Sequence, residues 1–348
     1  MPMNTRRAAG LLLAAVAALL ATTWTHVAAQ ETPRLLERDR IRLAEAFRLG
    51  EELGEQVWPG WASAPFDVLL VTPEYEFLIR HPKPSDDFQS LGHDALLHSD
   101  VYFRKRVFPP NLLATFPAVG GISTIVIGQA ENTSVKTSTP WVVTLLHEHF
   151  HQWQDSQPGL NEEVAALNLA RGDESGMWML NFPFPYASPP VRDKFDRLSR
   201  ALFAALEAND GDNLQKKAAE YRSLRKELEQ SLAADDFKYF SFQLWKEGIA
   251  RYTEFRIAGL AAEKFKPSAE FASLPDFTPF QQVADGLLTR IRREIQDPKL
   301  DERQRVIFYA FGAAEGLLLD RVNPRWQQRY MGEKFFLDRY FPQLPSSR

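Results

Sequence analysis

Residues 147–151 read His-Glu-His-Phe-His, so two histidines stand four positions apart with a glutamate directly after the first. On an α-helix, residues four apart share one face. His147 and His151 can therefore both turn a ring nitrogen toward a single metal ion. Glu148 is rotated about 100° from His147 around the helix axis, which sets its carboxylate beside such an ion rather than on it. From there it can accept a proton from a water held by the metal. His149 lies about 200° from His147, cannot share the site, and reads as a packed or surface histidine.

The surrounding residues supply the helix this geometry needs. Trp141, Val142, Val143, Leu145, Leu146, Phe150 and Trp153 make it apolar enough to run through a core. Thr139 is the expected N-cap with Pro140 at the first helical position, and Pro158-Gly159 mark the stop. Burying several imidazoles without a metal or another partner is costly, so a metal site is the stronger reading of His147-Glu148-x-x-His151, the H-E-x-x-H pattern of zinc hydrolases.

A catalytic zinc keeps three protein ligands and one open position. The chain has no cysteine, and no histidine follows His151. A downstream third ligand must therefore be Asp or Glu, which also excludes a metzincin pattern, since position 157 is Gln. Glu162, Glu163, Glu174 and Glu247 are the candidates. The segment Lys246-Glu-Gly-Ile-Ala-Arg-Tyr-Thr-Glu254, taken with the H-E-x-x-H motif, resembles the gluzincins, zinc peptidases whose third ligand is a glutamate on a second helix. It is similar to the N-E-G-F-A-x-Y-x-E motif of their aminopeptidase branch. The gap between the two segments is longer here, and no G-x-M-E-N segment precedes the zinc helix.

That resemblance implies one Zn²⁺ held by His147, His151 and Glu247, with Glu148 as general base and a peptide or protein as substrate. It also implies that a strand edge ahead of the zinc helix pairs with extended substrate. Gly248, lacking a Cβ, allows a second helix to approach closely. Glu254 falls on the face of Glu247 and can orient a ligand histidine through a hydrogen bond. Tyr309 is the expected donor to the developing oxyanion, at a distance from Glu247 similar to that of the catalytic tyrosine in gluzincin aminopeptidases; Tyr252 competes for the role. The function expected is an exported zinc metallopeptidase. The alternatives are a non-catalytic zinc-binding exported protein and a hydrolase of a non-protein amide or ester.

Arg6 and Arg7 precede an apolar run from Ala8 to Ala21, and Val27-Ala28-Ala29 offer small residues for cleavage. Residues 1–29 thus read as a signal peptide, too short for a confident membrane span. The expected location is periplasmic or secreted, with no membrane span once the leader is removed. Without cysteines, stability must come from the core and a metal. Net charge is −4, and no lysine- or arginine-rich run is present, which argues against nucleic-acid binding.

Apolar spacing predicts a helix at 34–57, strands at 67–72, 75–80, 101–107 and 122–127, and a turn at Gly120-Gly121. Residues 81–98 read as a loop, with His93 and His98 as surface residues. Helices are expected from about 139 onward: 191–207, 212–233 with a solvated charged face (Lys216, Lys217, Glu220, Arg225, Lys226, Glu227), 236–264, 278–296 and 301–322. Phe182-Pro-Phe-Pro-Tyr186 reads as a core-packing loop. The fold class is α+β: a small mixed α/β part (30–135) packed on a mainly helical, zincin-like catalytic part (136–348), in one compact unit.

Overall fold

The computed structural model describes residues 33–209 and 211–342; the leader reading at 1–29 lies outside the described residues. The architecture is α+β. Helix α1 (Glu37–Val57) precedes strands β1 (Val68–Val71), β2 (Tyr75–Ile79), β3 (Gln89–Asp94), β4 (Ser99–Lys105), β5 (Leu113–Val119) and β6 (Ile122–Gly128). They form one sheet in the order β3-β4-β2-β1-β6-β5, parallel only between β1 and β6. Strand β5 is therefore an edge. It carries Pro117 beside an irregularity in its pairing with β6, as expected for a residue with no N–H to give.

Alternation along the central strands sorts the core into two layers. Val68 and Leu70 face the main core with Ile125 and Ile127, while Leu69 and Val71 face a smaller cluster with Leu78, Val119 and Val126. The helices that follow are α2 (Ser138–Asp155), α3 (Leu160–Ala166), α4 (Pro189–Glu207), α5 (Asp212–Ser231), α6 (Ala234–Gln243), a π-helical turn (Leu244–Gly248), α7 (Ile249–Lys264), α8 (Phe280–Gln296) and α9 (Ile307–Val322). The main core runs from Leu43 of α1 through the sheet to Phe341, and the chain from Leu35 onward clusters as one compact unit. No helix among the described residues is long and apolar enough to cross a membrane.

The structure departs from the sequence expectations in several places. Part of the 81–98 loop is strand β3, whose residues are mostly exposed. Its backbone pairing with β4 makes it a strand, and its side chains carry no apolar alternation to reveal it. His93 and His98 are exposed, as expected. Helix α2 begins after Thr137 rather than Thr139. Asp276 caps it from a distant loop, accepting from Ser138 N at 3.0 Å and Ser138 Oγ at 2.6 Å. Thr139 instead accepts the Thr278 N–H at 3.0 Å.

The helix expected at 301–322 is broken. Gln304 has φ 49°, and a short 3-10 turn (Gln304–Val306) separates Leu300–Arg303 from α9. Arg225 is not on a solvated face: it is buried against Glu315 at 3.2 Å, and Tyr221 donates to the same carboxylate.

Candidate metal centre

Helix α2 crosses the molecule between the β5–β6 hairpin and α7. Its far end is tied to the sheet by Gln152 Nε2, which donates to Asp67 O at 3.0 Å and Ser123 O at 2.9 Å. This fixes the rotation of the helix, so His147 and His151 face α7 and the π turn. The two Nε2 atoms lie 3.2 Å apart. Glu247, in the π turn, brings Oε2 to 3.3 Å from His151 Nε2 and 3.8 Å from His147 Nε2.

Those three side chains form a group able to hold a metal ion. Donors on a tetrahedron with bonds of about 2.0–2.1 Å are about 3.3–3.4 Å apart, and the observed separations bracket that edge. In the metal-free state, burial pushes His147 down while Glu254 and Glu247 push it up, for a net rise to about 10. Glu247 is pulled the other way: burial raises it, but His151 and His147 hold it well below the usual carboxylate range.

Each imidazole is oriented from behind, as metal-binding histidines usually are. His151 Nδ1 donates to Gln154 Oε1 at 2.7 Å, and Gln154 Nε2 in turn donates to Tyr330 Oη at 2.7 Å. Behind His147, Nδ1 lies 2.6 Å from Glu254 Oε1, with the oxygen off the ring N–H axis. The other Glu254 oxygen accepts from Arg251 at 3.0 Å. Arg251 thus pairs with Glu254 and leaves Glu247 free to face the histidines.

The π turn sits at the residues that form the site, where such wide turns are common. Gly248 explains how α9 reaches it. A Cβ at Gly248 would lie 2.5 Å from Gly312 Cα, and one at Gly312 would lie 2.6 Å from Leu244 O. The two backbones touch, and Tyr309 is carried to the site on α9. Its ring stacks on that of His147 with centroids 6.4 Å apart, and its hydroxyl accepts from Arg305 Nη1 at 2.7 Å. Burial first, then Glu247, pushes the Tyr309 phenol far above its ordinary value, so it stays a protonated donor.

Glu148 is buried on the sheet side. Thr115 Oγ1, on edge strand β5, lies 2.8 Å from Glu148 Oε2 and 3.1 Å from Glu148 O, and its one proton is shared between them. Edge strand and carboxylate therefore meet beside the histidine pair. His149 is packed, stacked on Phe66 with centroids 3.8 Å apart; burial holds it neutral at about 3.

The remaining sequence candidates fall elsewhere. Glu162, Glu163 and Glu174 are exposed and outside the group. Tyr252 turns away, donating to the Asp320 carboxylate at 2.9 Å. Thr115, Gln154 and Arg305 went unread in the sequence. Gln154, three residues after His151 on a helix, was findable by spacing alone; Thr115 and Arg305 carry no local signal. The protein is thus an α+β chain in which two buried histidines and a half-buried glutamate form a group that could hold a metal ion. No known protein family, curated protein or solved structure matches it.

Proposed function

We propose that this protein is an exported zinc-dependent hydrolase acting on peptide amide bonds. The observation that supports this most is the joint placement of Glu148 and the His147–His151–Glu247 group, with the Glu148 carboxylate gripped by Thr115 at 2.8 Å. Two imidazoles and one carboxylate suit a borderline ion such as zinc, and three protein donors leave a fourth position open. A zinc ion there would act as a Lewis acid, activating water and polarising the scissile carbonyl.

The chain's own residues do the rest. Glu148 takes the proton of the attacking water and returns it to the leaving amine. Thr115 keeps the Glu148 carboxylate in one orientation. Tyr309 offers its hydroxyl proton to the developing oxyanion, and Arg305 holds that hydroxyl in place. Gln154 holds the His151 ring with Nε2 toward the ion, and the Glu254 charge beside His147 Nδ1 favours the same orientation there.

The test is Glu148→Gln. The variant retains one equivalent of metal by elemental analysis and loses at least about a hundredfold in turnover of a fluorogenic peptide library. Unchanged hydrolysis by the purified variant would remove the assignment.

A further inference from the structure

The sequence offers no legible specificity pocket, but the structure has a cavity beside Tyr309. It measures about 390 Å³ and is walled by residues 180–184, Tyr186 and residues 303–306. That is the small end of ligand-site volumes, about 300–1,000 Å³. Its lining includes the Phe182-Pro-Phe-Pro-Tyr186 segment, so this loop serves the core and a pocket at once. Leu180 and Val306 on its rim are 47% and 49% exposed, apolar surface left open to water.

Its charge is one-sided. No acidic side chain is among the lining residues, while Arg303 and Arg305 are. Arg303 pairs with Glu294 at 3.1 Å, a carboxylate it shares with Arg290. Arg305 is not: no carboxylate of the described residues lies within ion-pair distance of it, and its single hydrogen bond goes to Tyr309 Oη. A half-buried guanidinium carries five N–H donors in a fork that matches a carboxylate. Four of those donors have no acceptor among the described residues, so they are open to an anion arriving from solvent.

The break in the helix at Gln304 is what aims this side chain. With a continuous helix from 301, Arg305 would follow the regular helical path. Gln304, at φ 49° and ψ −132°, instead places it at the turn into α9, between the pocket and Tyr309.

We propose that this cavity is a recognition pocket for a substrate residue bearing a carboxylate, with Arg305 as its receptor. Phe182, Pro183 and Phe184 in its wall take the body of the residue and the guanidinium takes its charge. Because Arg305 also touches the Tyr309 hydroxyl, and the Tyr309 ring lies beside that of His147, the bound carboxylate sits next to the metal group. The carboxylate is either a chain's C-terminal α-carboxylate or an aspartate or glutamate side chain. The identity of the occupant as substrate rests on the hydrolase reading above, whereas its binding does not.

Isothermal titration of the purified metal-loaded protein separates these sources. N-acetyl-leucine against its amide probes an α-carboxylate. N-acetyl-glutamate α-amide against N-acetyl-glutamine amide probes a side-chain carboxylate. In one of the two pairs the acid should bind about tenfold tighter or more. That preference should vanish in Arg305→Gln and survive in part in Arg305→Lys. Val306→Asp, at an exposed rim position, should weaken binding of the acid severalfold and leave the amide unaffected. Absence of any acid preference, or its persistence in Arg305→Gln, overturns the proposal, the second result marking the metal as the receptor. If Arg305→Gln does not fold, unchanged acid affinity in Val306→Asp overturns it instead. A preserved acid preference in a wild-type protein that cleaves no peptide leaves the pocket standing and removes the hydrolase reading alone.

Discussion

Replacing Gly248 by alanine tests whether the contact between the π turn and α9 sets the metal group. The added Cβ would lie 2.5 Å from Gly312 Cα and 3.1 Å from Gly312 C. Ordinary contact for such atoms is about 3.4–4 Å, so the two backbones must part by about 1 Å or more, because neither side is a flexible side chain. Overpacking of this kind costs about 1–3 kcal/mol. The functional cost should be larger in relative terms. Ligand distances in a working metal site hold to about ±0.2 Å, and the shifted segment carries Glu247 itself. Competition with a chromophoric chelator should show metal affinity lower by tenfold or more, with far-UV dichroism preserved and the melting temperature down by several degrees. Gly259→Ala is the control: nothing lies within 4 Å of its added Cβ, and a mid-helix glycine-to-alanine change stabilises by about 0.5–1 kcal/mol. If Gly248→Ala bound metal as tightly as wild type and melted no lower, the close crossing would not be what positions Glu247.

Three further outcomes follow from the geometry. Glu254→Gln removes the charge 2.6 Å from His147 Nδ1, and metal affinity should fall about 10–100-fold; an unchanged dissociation constant would show that Glu254 serves only Arg251. Thr115→Val should leave metal stoichiometry intact and lower peptide turnover about tenfold, since Glu148 loses the side-chain donor that orients it; a loss of metal instead would mean Thr115 supports the helix rather than the base. Asp67 gives a pH signature. Burial raises its carboxyl from 3.8 to about 6, and Oδ2 has no hydrogen-bond partner among the described residues. A raised acid binds its proton more tightly when folded, so this group costs stability above pH 6 and nothing below about 4. The cost is at most about 3 kcal/mol at 1.36 kcal/mol per pH unit. Asp67→Asn should flatten the wild-type rise in stability between pH 6 and 4, measured by urea unfolding; an unchanged slope would assign it to other groups.

What the sequence determined by itself is what short-range periodicity encodes. Four-residue spacing and an apolar surround placed His147 and His151 on one buried face, with Glu148 beside them and His149 turned away from the pair. Alternating and continuous apolar runs located β1, β2, β4 and β6, and the glycine pair located the hairpin turn. Even the far glutamates were readable once a motif drew attention to residues 246–254, because Glu247 and Glu254 are seven apart on one helix.

Tertiary structure decided everything that depends on two segments distant in sequence meeting in space. Strand β3 exists only through pairing with β4. The choice of Glu247 over Glu174 needed the path of the chain between the two helices. The approach of Tyr309 needed the Gly248–Gly312 contact, which neither glycine announces alone. Thr115 and Arg305 reach the site from an edge strand and from a break in a helix. Local sequence fixes the face a side chain takes on its own element; only the packed core fixes which other element that face meets.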